Sequence, residues 1–494
     1  MNICLPSPEE IREAFKQGED EVMALFDALR DPLLEIAEQL KKQAEVIREF
    51  EAKASKNSRN SSKPPSSDGY GKAKRTESRR SKGNKPNGGQ PGHKGSTLEA
   101  VDEPDEVVVH DPAYCEHCEA PLEAVDVSAV ESRQVFDIPA MKIIVTAHEA
   151  RVKICPVCTR QTSGDFPESV TQPVQYGNGI KSLAAYFNHE HFVPVKRTAQ
   201  IFKDVFDQAP SEGFILKAGE QLERSIEPAR QAVKQQLRDT QLLHVDETGL
   251  RVKGKLHGLH SASTDTLTDY TVHPKRGQEA IEAGDILKYF RGRLVHDHWK
   301  PYFSYEACEH IACNAHHIRE LVYIEKQYRQ SWAGEMLDLL LEIKQAIEDA
   351  QPEQTQLSIQ QQSLFERRYD ALVKTGLIQN PFTPAEDHKR IKKRGRPKQT
   401  PAHNLLLRFR DFKASTLAFM YDFSIPFDNN LAERDIRMVK VKQKVSGGFR
   451  TLEGAQRFAS IRGYVSTARK NSVSILGVIK AAFAGQPFIP VPQT

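Results

Sequence analysis

The order of apolar segments that begins at Gln241 constrains the fold most. Three strand-like stretches are followed by a helical one and a further strand-like one, at 241–247, 255–263, 267–273, 278–290 and 292–297. Three strands, a helix and a further strand are the order in which an RNase H-like sheet is built. The sequence therefore predicts an α/β core of this type. Residues 321–425 are largely helical in pattern and predict an insertion before a final helix near 429–443.

Acidic residues stand at the ends of two of these stretches. Asp246 closes the apolar run LLHVD and Asp297 closes LVHD, so each carboxylate is expected at the C-terminal edge of a strand. Glu433, one helical turn past Asn429 and Asn430, could reach the same cleft. Three carboxylates suffice to hold two Mg²⁺ or Mn²⁺ ions for phosphoryl transfer at DNA. These acids are therefore candidates for a two-metal site.

Each candidate has a competing interpretation. An Asp at a strand end is more often a turn former or a cap than a ligand, and Asp246 taken alone fits that description. Glu247 is a weaker choice than Asp246, because neighbouring strand residues point to opposite faces. His296 and His298 flank Asp297, and we expect them to be structural groups.

A strongly basic segment precedes the core. Between Lys53 and Lys94 there are twelve Lys or Arg against two acids, a local charge of +10, so the rest of the chain carries −7 of the total of +3. Residues 53–97 are rich in Ser, Asn, Gly, Pro and Lys, which predicts disorder. The segment is either an arm that follows DNA phosphates or a solvated linker. The candidate phosphate contacts are Lys72, Lys74, Arg75, Arg79 and Arg80.

Two CxxC pairs predict a zinc site in a small domain over residues 100–170. Seven cysteines without an export signal are too few and too unevenly placed for a disulfide framework. The pairs are Cys115 with Cys118 and Cys155 with Cys158, and each can present two thiolates from one tight turn. Unliganded thiols or a redox pair are the alternatives. His117 lies inside the first pair, but four cysteines make it unnecessary as a ligand.

The domain of residues 100–170 also contains strand-like stretches at 107–110, 133–139 and 142–154. The remaining cysteines, Cys4, Cys308 and Cys313, are expected to be inert thiols.

The N-terminal residues 9–52 are helical in pattern. Asp31 and Pro32 resemble a helix cap and a first helical position. A short apolar seam follows, at Leu33, Ile36, Leu40, Ile47 and Phe50. This seam is either a zipper for self-association or one face of an amphipathic helix that packs on its own protein.

Basic residues near the third acid suggest DNA contacts. Those around Glu433 are Arg434, Arg437, Lys440, Lys442, Lys444 and Arg450. The segment 392–398, KKRGRPK, contains Arg394 and Arg396 in the core pattern of an AT-hook, which inserts two arginines into an A·T minor groove. A basic surface loop is an equally good reading of that segment.

No run of eighteen apolar residues is present, and the start MNICLPSPEE has neither a basic nor an apolar export region. A cytoplasmic location without membrane contact is therefore expected.

Several motifs together resemble one known family. VDETGLRV, HDHWKPY with CNAHHIREL, and DNNLAERDIR with KQKVSGGFRT are similar to DDE-type transposases of the insertion-sequence-66 family, as are NSSKPPSSD, GGQPGHKGS and the double CxxC. The resemblance implies an RNase H-like catalytic domain, an N-terminal zipper and a zinc-binding DNA-recognition domain. By position, the catalytic acids would be Asp246, Asp297 and Glu433. The family often has Asp-Gly-Tyr at the second acid, where this chain has Asp297, His298 and Trp299.

The resulting hypothesis is a transposase that cuts element ends and joins the 3′-hydroxyl to target DNA, with Mg²⁺ or Mn²⁺ in the core and structural Zn²⁺. Its expected partners are double-stranded DNA (terminal inverted repeats and target), a second copy of the chain, and accessory proteins of the same element. A catalytically silent DNA-binding regulator and a nuclease of the same fold are the alternatives. The predicted segments are 1–52, 53–99, 100–170, 171–240, 241–320, 321–425, 426–470 and a tail at 471–494.

Overall fold

The computed structural model describes residues 6–57, 98–139, 141–382 and 399–492. The chain divides into two compact units, one containing residues 1–76, 173–199 and 210–494, the other residues 77–172 and 200–209. Within the described ranges, no helix has both the length and the apolar character needed to cross a membrane. The basic-arm residues Lys72 to Arg80 and the AT-hook-like arginines Arg394 and Arg396 lie outside the described residues.

Helices make up most of the regular structure. They are α1 (Pro8–Gln17), α2 (Glu19–Ala54), α3 (Asn178–Ala185), α4 (Val195–Phe206), α5 (Glu212–Ser225), α6 (Glu227–Asp239), α7 (Gln278–Ala283), α8 (Asn314–Tyr328), α9 (Ser331–Ala350), α10 (Ile359–Gln379), α11 (Pro401–Asp411), α12 (Lys413–Tyr421), α13 (Asn430–Ser446), α14 (Leu452–Lys470) and α15 (Ile475–Phe483). A π-helical turn, Tyr186–Glu190, continues α3, and a 3-10 turn covers Lys300–Ser304. The strands are β1 (Val152–Ile154), β2 (Gln161–Ser163), β3 (Leu242–Val252), β4 (Lys255–Ser263), β5 (Thr268–His273), β6 (Arg293–His296) and β7 (Glu309–Ala312).

Five of these strands form a mixed sheet in the order β5-β4-β3-β6-β7. β4 is antiparallel to β3 and β5, whereas β6 is parallel to both β3 and β7. The β3–β4 hairpin closes on Lys253 and Gly254, which both have positive φ, of 48° and 76°. Such a turn matches the right-handed twist of the paired strands. Along the chain, three strands, a helix and a further strand follow one another as the sequence predicts, and the sheet is compatible with an RNase H-like core.

Helices cover both faces of this sheet. Leu243 and Val245 of β3 pack with α6 and α7, and Leu250 and Val252 pack with α13 and α14. Alternate residues of a strand point to opposite faces, so odd-numbered side chains of β3 meet one helical layer and even-numbered side chains meet the other. This alternation decides which layer each acid of β3 faces.

The helical insertion has an apolar core of its own. Trp332, Leu340, Phe409 and Met420, from α9, α11 and α12, are fully buried there together with Val295 of β6. The predicted helical character of residues 321–425 agrees with α8 to α12. Because its core is continuous with the edge of the sheet, the insertion holds β6 and β7 from one side.

The N-terminal helices differ from expectation in one detail. Pro32 lies inside α2 rather than at its start, because the chain breaks earlier, at Gly18, where φ is 125°. Only glycine adopts that backbone conformation without strain. The end of α2 contacts α8, where the Tyr323 hydroxyl donates to the Ala52 carbonyl at 2.6 Å.

The seam predicted to form a zipper is mostly solvent-exposed along α2. Leu33, Leu40, Ile47 and Phe50 are exposed, and Ile36 is half-buried. Packing of the seam on the same chain, the alternative interpretation, is therefore not observed among the described residues. The zipper stays a prediction.

Two further segments depart from the predicted pattern. Residues after Lys470 contain α15, whose Ile479 and Phe483 pack in one core with α5 and α14. In the smaller unit, the strand-like stretches 107–110 and 133–139 form no strand, and Val108 and Val135 are exposed. β-branched residues favour a sheet only when a partner strand and a packed face are available, and these stretches have neither within the described part of this unit.

A buried ion triad joins the π-helical turn to α14. Glu190, whose side chain is 5% exposed, accepts from Arg462 Nη1 at 2.5 Å and also pairs with Arg469. Glu190→Gln is expected to lower the free energy of unfolding by about 3–5 kcal/mol, because it leaves the buried Arg462 without a counter-charge. Urea unfolding followed by circular dichroism measures this. As a control, Glu220→Gln removes an exposed partner of Arg457 and should cost at most about 1 kcal/mol; equal losses in the two variants would contradict the prediction.

Candidate active site

Asp246 and Asp297 lie at the end of the parallel pair β3 and β6. The pairing between these strands stops at His244 and Val295, and β6 itself ends at His296, directly before Asp297. β3 does not end at Asp246 as the apolar run suggested. It continues to Val252 because β4 pairs with it along its whole length. Asp246 thus lies in mid-strand, beside the gap that opens where β6 stops.

Glu247 joins these two aspartates. Carboxylate oxygens of Asp246, Glu247 and Asp297 all lie within 4.8 Å of one another. Asp246 is on the α13 side of β3 and Glu247 on the side of Tyr302, which the alternation of the strand requires. Alternation alone does not separate the carboxylates, because with no neighbouring strand beyond His296 both side chains can turn toward Asp297. Glu247 is therefore a site residue that sequence reasoning set aside.

Glu433 is on the first turn of α13 and is held by residues of α8. Its carboxylate accepts from Arg319 at 3.2 Å and lies 3.7 Å from His316 Nδ1. Cys313, His316 and Glu433 form a second group whose possible ligand atoms lie within 4.8 Å of one another. Cys313 is buried, as expected of an inert thiol, and its sulfur accepts from the Asn429 backbone N–H at 3.1 Å.

Asn429 anchors α13 on the sheet. It is 1% exposed, its amide donates to the Val245 carbonyl at 2.8 Å, and its Oδ1 lies 2.8 Å from His244 Nδ1. Because the amide nitrogen is used by Val245, Oδ1 is the acceptor, so His244 carries its proton on Nδ1. This contact fixes the start of α13 beside Val245, the residue before Asp246. Glu433 is on the first turn of the same helix.

Asn429→Ala is expected to lower the free energy of unfolding by about 2–4 kcal/mol, because it leaves polar groups of His244 and Val245 buried without partners. It should also slow any reaction that needs Glu433, since α13 loses its anchor. Thermal unfolding and a cleavage assay measure the two effects. The matched control is Asn430→Ala at the exposed neighbouring position, which should change stability by about 0.5 kcal/mol or less. Similar losses in both variants would exclude the anchoring role.

Burial and mutual repulsion raise the pKa values of Asp246, Glu247 and Asp297. Burial raises the pKa of Asp246 well above its ordinary value, and repulsion from Glu247 and Asp297 adds to it. Burial and repulsion from Asp297 raise the pKa of Glu247 to about 7, although Arg276 and Tyr302 oppose the change. Burial also raises the pKa of Asp297. Repulsion from Glu433 raises the pKa values of Asp246 and Asp297 further. The structure does not, however, bring Glu433 into the group of acids whose carboxylate oxygens lie within 4.8 Å of one another.

The basic residues on α13 fall into two groups. Arg434, Arg437, Lys444 and, just beyond the helix, Arg450 are exposed. Lys440 Nζ donates to the Gly249 carbonyl at 2.5 Å, and Lys442 Nζ donates to the Gly447 carbonyl at 3.0 Å. The ammonium groups of Lys440 and Lys442 are thus partly engaged within the chain, and burial lowers the pKa of Lys442 to about 8.

The two cysteine pairs of the smaller unit have the same turn. The Cys115 N–H donates to the Ala120 carbonyl and the Cys155 N–H to the Arg160 carbonyl, each at 2.9 Å. The residue that follows the second cysteine of each turn has positive φ, 59° at Glu119 and 58° at Thr159. Backbone N–H groups inside the turns lower the pKa values of the Cys115 and Cys155 thiols, which favours thiolates. Among the residues that the structure describes, these cysteines belong to neither group of three or more possible ligands within 4.8 Å, so the pairs are not brought together.

Comparison with family models decides the family. The model for the transposase IS66 family matches residues 173–457, more than half of the chain. The chain belongs to the IS66 family of transposases. A second model, described as a family of unknown function (DUF6444), matches residues 5–99. The comparison with curated proteins yields no match. Within this IS66-family chain, the transposase match includes Asp246, Glu247, Asp297 and Glu433. Both cysteine pairs lie outside the two matched ranges.

The departure from Asp-Gly-Tyr has a structural cost in this transposase. His298 has a φ of 70°, in the left-handed region that glycine adopts freely and histidine does not. Its ring is held edge-on against Phe412, with centroids 4.8 Å apart, and contacts Phe303 at 5.0 Å. Aromatic packing against the helical insertion therefore stabilises the backbone conformation beside Asp297. Neither ring nitrogen of His298 has a hydrogen-bond partner among the described residues, so its assignment as a structural group stays a prediction.

Several residues of this site in the transposase carried no recognisable sequence signal. Arg276, Tyr302, His316 and Arg319 contact the acids from loops and helices far away in sequence. The motif CNAHHIREL contains His316 and Arg319, but its spacing does not reveal that both face Glu433. Only their contacts with Glu433 in the folded chain do.

Proposed function

We propose that the chain is a DDE-type transposase in which Asp246, Asp297 and Glu433 hold two Mg²⁺ or Mn²⁺ ions for DNA cleavage and 3′-hydroxyl strand transfer. The observation that carries the proposal is the convergence of three acids, the half-buried Asp246 and Asp297 and the buried Glu247, at the end of β3 and β6 in a chain of a transposase family. Buried acids that repel one another are stabilised by bound cations, and an all-oxygen donor set suits Mg²⁺ or Mn²⁺. The proposal includes a cytoplasmic location and self-association of the chain.

The role of each residue follows from its position. Asp246 on β3 and Asp297 directly after β6 would hold the ions, and Glu433 would contribute a further carboxylate from α13. When bound, the ions stabilise the negative charge on the attacking and leaving oxygens. Asn429 and Arg319 orient Glu433, and the exposed Arg434 and Arg437 would contact DNA phosphates.

The smaller unit is proposed to bind one structural Zn²⁺ through Cys115, Cys118, Cys155 and Cys158 and to contact element ends. Two identical turns with lowered thiol pKa values support this assignment. Zinc binding would require the two turns to approach each other. The element ends and the target are the proposed double-stranded DNA partners.

Purified full-length protein with Mg²⁺ or Mn²⁺ and duplexes carrying the inverted repeats that flank its gene tests the proposal. Nicking at the repeat end and joining of the 3′-hydroxyl to a second duplex are expected. Asp246→Ala and Glu433→Ala should abolish both, and Asp239→Asn, at an exposed acid on α6, should retain both. Binding of the repeats by wild type without metal-dependent nicking would instead support the catalytically silent regulator.

A further inference from the structure

We propose that Arg276 binds the DNA phosphate next to the scissile bond, and that Glu247 and Trp299 hold its guanidinium in place for this contact. The inference rests on the proposed phosphoryl transfer at Asp246 and Asp297. It makes Arg276 a substrate-binding residue and Glu247 a positioning residue rather than a metal ligand.

Arg276 is tied to both strands that carry the central acids. It lies in the loop between β5 and α7, and Nη2 donates to Glu247 Oε1. Its guanidinium also lies over the Trp299 ring, 5.2 Å from the centroid. The backbone N–H of Trp299 in turn donates to Asp297 Oδ1 at 3.1 Å. A carboxylate on one edge and an aromatic face below leave few orientations open to the guanidinium.

The two partners of this ion pair differ in exposure. The Glu247 side chain is 2% exposed, whereas that of Arg276 is 56% exposed. Glu247 therefore anchors the pair, and Arg276 presents its remaining N–H donors to solvent at the rim of the acidic cluster. A guanidinium has five donors in a planar fork that fits a phosphate, so one carboxylate contact does not saturate it.

Both oxygens of Glu247 are already used. Oε1 accepts from Arg276, and Oε2 accepts from the Tyr302 hydroxyl at 3.2 Å. Asp246 and Asp297, by contrast, form no ion pair with any residue of the described ranges. A cation entering the cluster would meet these two aspartates without displacing a charged partner, whereas binding to Glu247 would require it to displace Arg276.

The two proposed divalent ions would offset the charge of four carboxylates but leave no excess of positive charge to attract a phosphodiester. Arg319 is committed to Glu433, and Lys440 Nζ to a backbone carbonyl. Arg276 pairs with Glu247, whose carboxylate has an oxygen within 4.8 Å of those of Asp246 and Asp297, so its guanidinium lies beside the acidic group. It is therefore a half-exposed, oriented cation at the position where a scissile phosphate has to approach.

The test uses the full-length protein and a repeat-end duplex. DNA affinity is measured in Ca²⁺ as a function of salt, single-turnover cleavage in Mg²⁺, and Mn²⁺ binding without DNA by electron paramagnetic resonance. Arg276→Ala should weaken DNA binding about tenfold, reduce the salt slope by about 0.9, and slow cleavage by at least about tenfold. Its Mn²⁺ affinity should be equal to or tighter than that of wild type, because a nearby positive charge is removed. Arg276→Lys should bind DNA more tightly than Arg276→Ala but less tightly than wild type, because lysine keeps the positive charge and lacks the planar fork of donors.

Lys275→Ala is the matched control, since Lys275 is in the same loop but pairs with the exposed Glu279. It should leave cleavage unchanged and the salt slope within error. Equal effects of Lys275→Ala and Arg276→Ala would reduce the role of Arg276 to general charge and overturn the proposal.

Glu247→Gln separates positioning from metal binding. It should weaken DNA binding in the same direction as Arg276→Ala, while Mn²⁺ affinity falls by no more than about threefold. Asp246→Asn, in contrast, should lower Mn²⁺ affinity by more than about tenfold. If Glu247→Gln abolishes Mn²⁺ binding as Asp246→Asn does, Glu247 is a metal ligand and the inference is wrong. If wild type does not cleave at all, the proposed function fails instead.

Discussion

Asp246→Asn is expected to abolish metal-dependent DNA cleavage, with a rate loss of at least about 10³-fold, and at the same time to stabilise the metal-free protein. The loss follows from removal of a central anionic ligand. The gain in stability of the metal-free protein follows from burial and from repulsion by Glu247 and Asp297, which disfavour the charged form of Asp246. Relief of this repulsion should raise the free energy of unfolding at pH 8 by roughly 1–3 kcal/mol.

The pH dependence of this gain has a definite sign. The folded-state pKa of Asp246 is raised above its unfolded value, so between the two values the folded protein binds more protons than the unfolded chain. The penalty from Asp246 is therefore fully present above the raised pKa and disappears as pH falls through it. The amide of the variant does not titrate, so its advantage over wild type should shrink with falling pH.

Thermal unfolding at pH 5 to 8, with and without Mg²⁺, measures these effects. Mg²⁺ should raise the Tm of wild type and have little effect on Asp246→Asn, because the ligand is missing. Asp239→Asn, on the exposed end of α6, should respond to Mg²⁺ as wild type does. A metal-free Asp246→Asn protein less stable than wild type at pH 8 would refute the repulsion argument.

Removal of zinc is expected to have the second large effect, confined to the smaller unit. A structural Zn²⁺ contributes on the order of 10 kcal/mol to the folding of a small domain, and the strand-like stretches there are largely exposed. The two short strands β1 and β2 supply little core of their own. Cys118→Ser and Cys158→Ser should each lose the bound zinc and the binding of repeat-end DNA.

Zinc content, limited proteolysis and DNA binding measure this prediction. Wild type should contain one zinc per chain, and chelation should expose residues 98–172 to protease while the sheet domain keeps its Tm. His117→Ala, inside the first turn, should retain zinc because four thiolates complete the site. Zinc retention in Cys158→Ser would exclude a site shared by the two turns.

Sequence reasoning predicted the sheet well because each strand has a local signal. Alternating or continuous apolar runs mark β3 to β6. The same reasoning predicted strands at 107–110 and 133–139, where apolar residues have no partner strand. Local pattern indicates that a segment can be a strand, and pairing decides whether it becomes one.

The succession of strands and helices along the chain, the position of Asp297 directly after β6 and the two cysteine turns were thus determined by the sequence itself, because each depends on residues close together in the chain. Tertiary structure alone decided the rest. It placed Glu433 against Arg319, Glu247 beside the aspartates and Arg276 over Trp299. These contacts join segments between about twenty and more than one hundred residues apart, and they exist because β6 stops at His296 and α13 is anchored by Asn429.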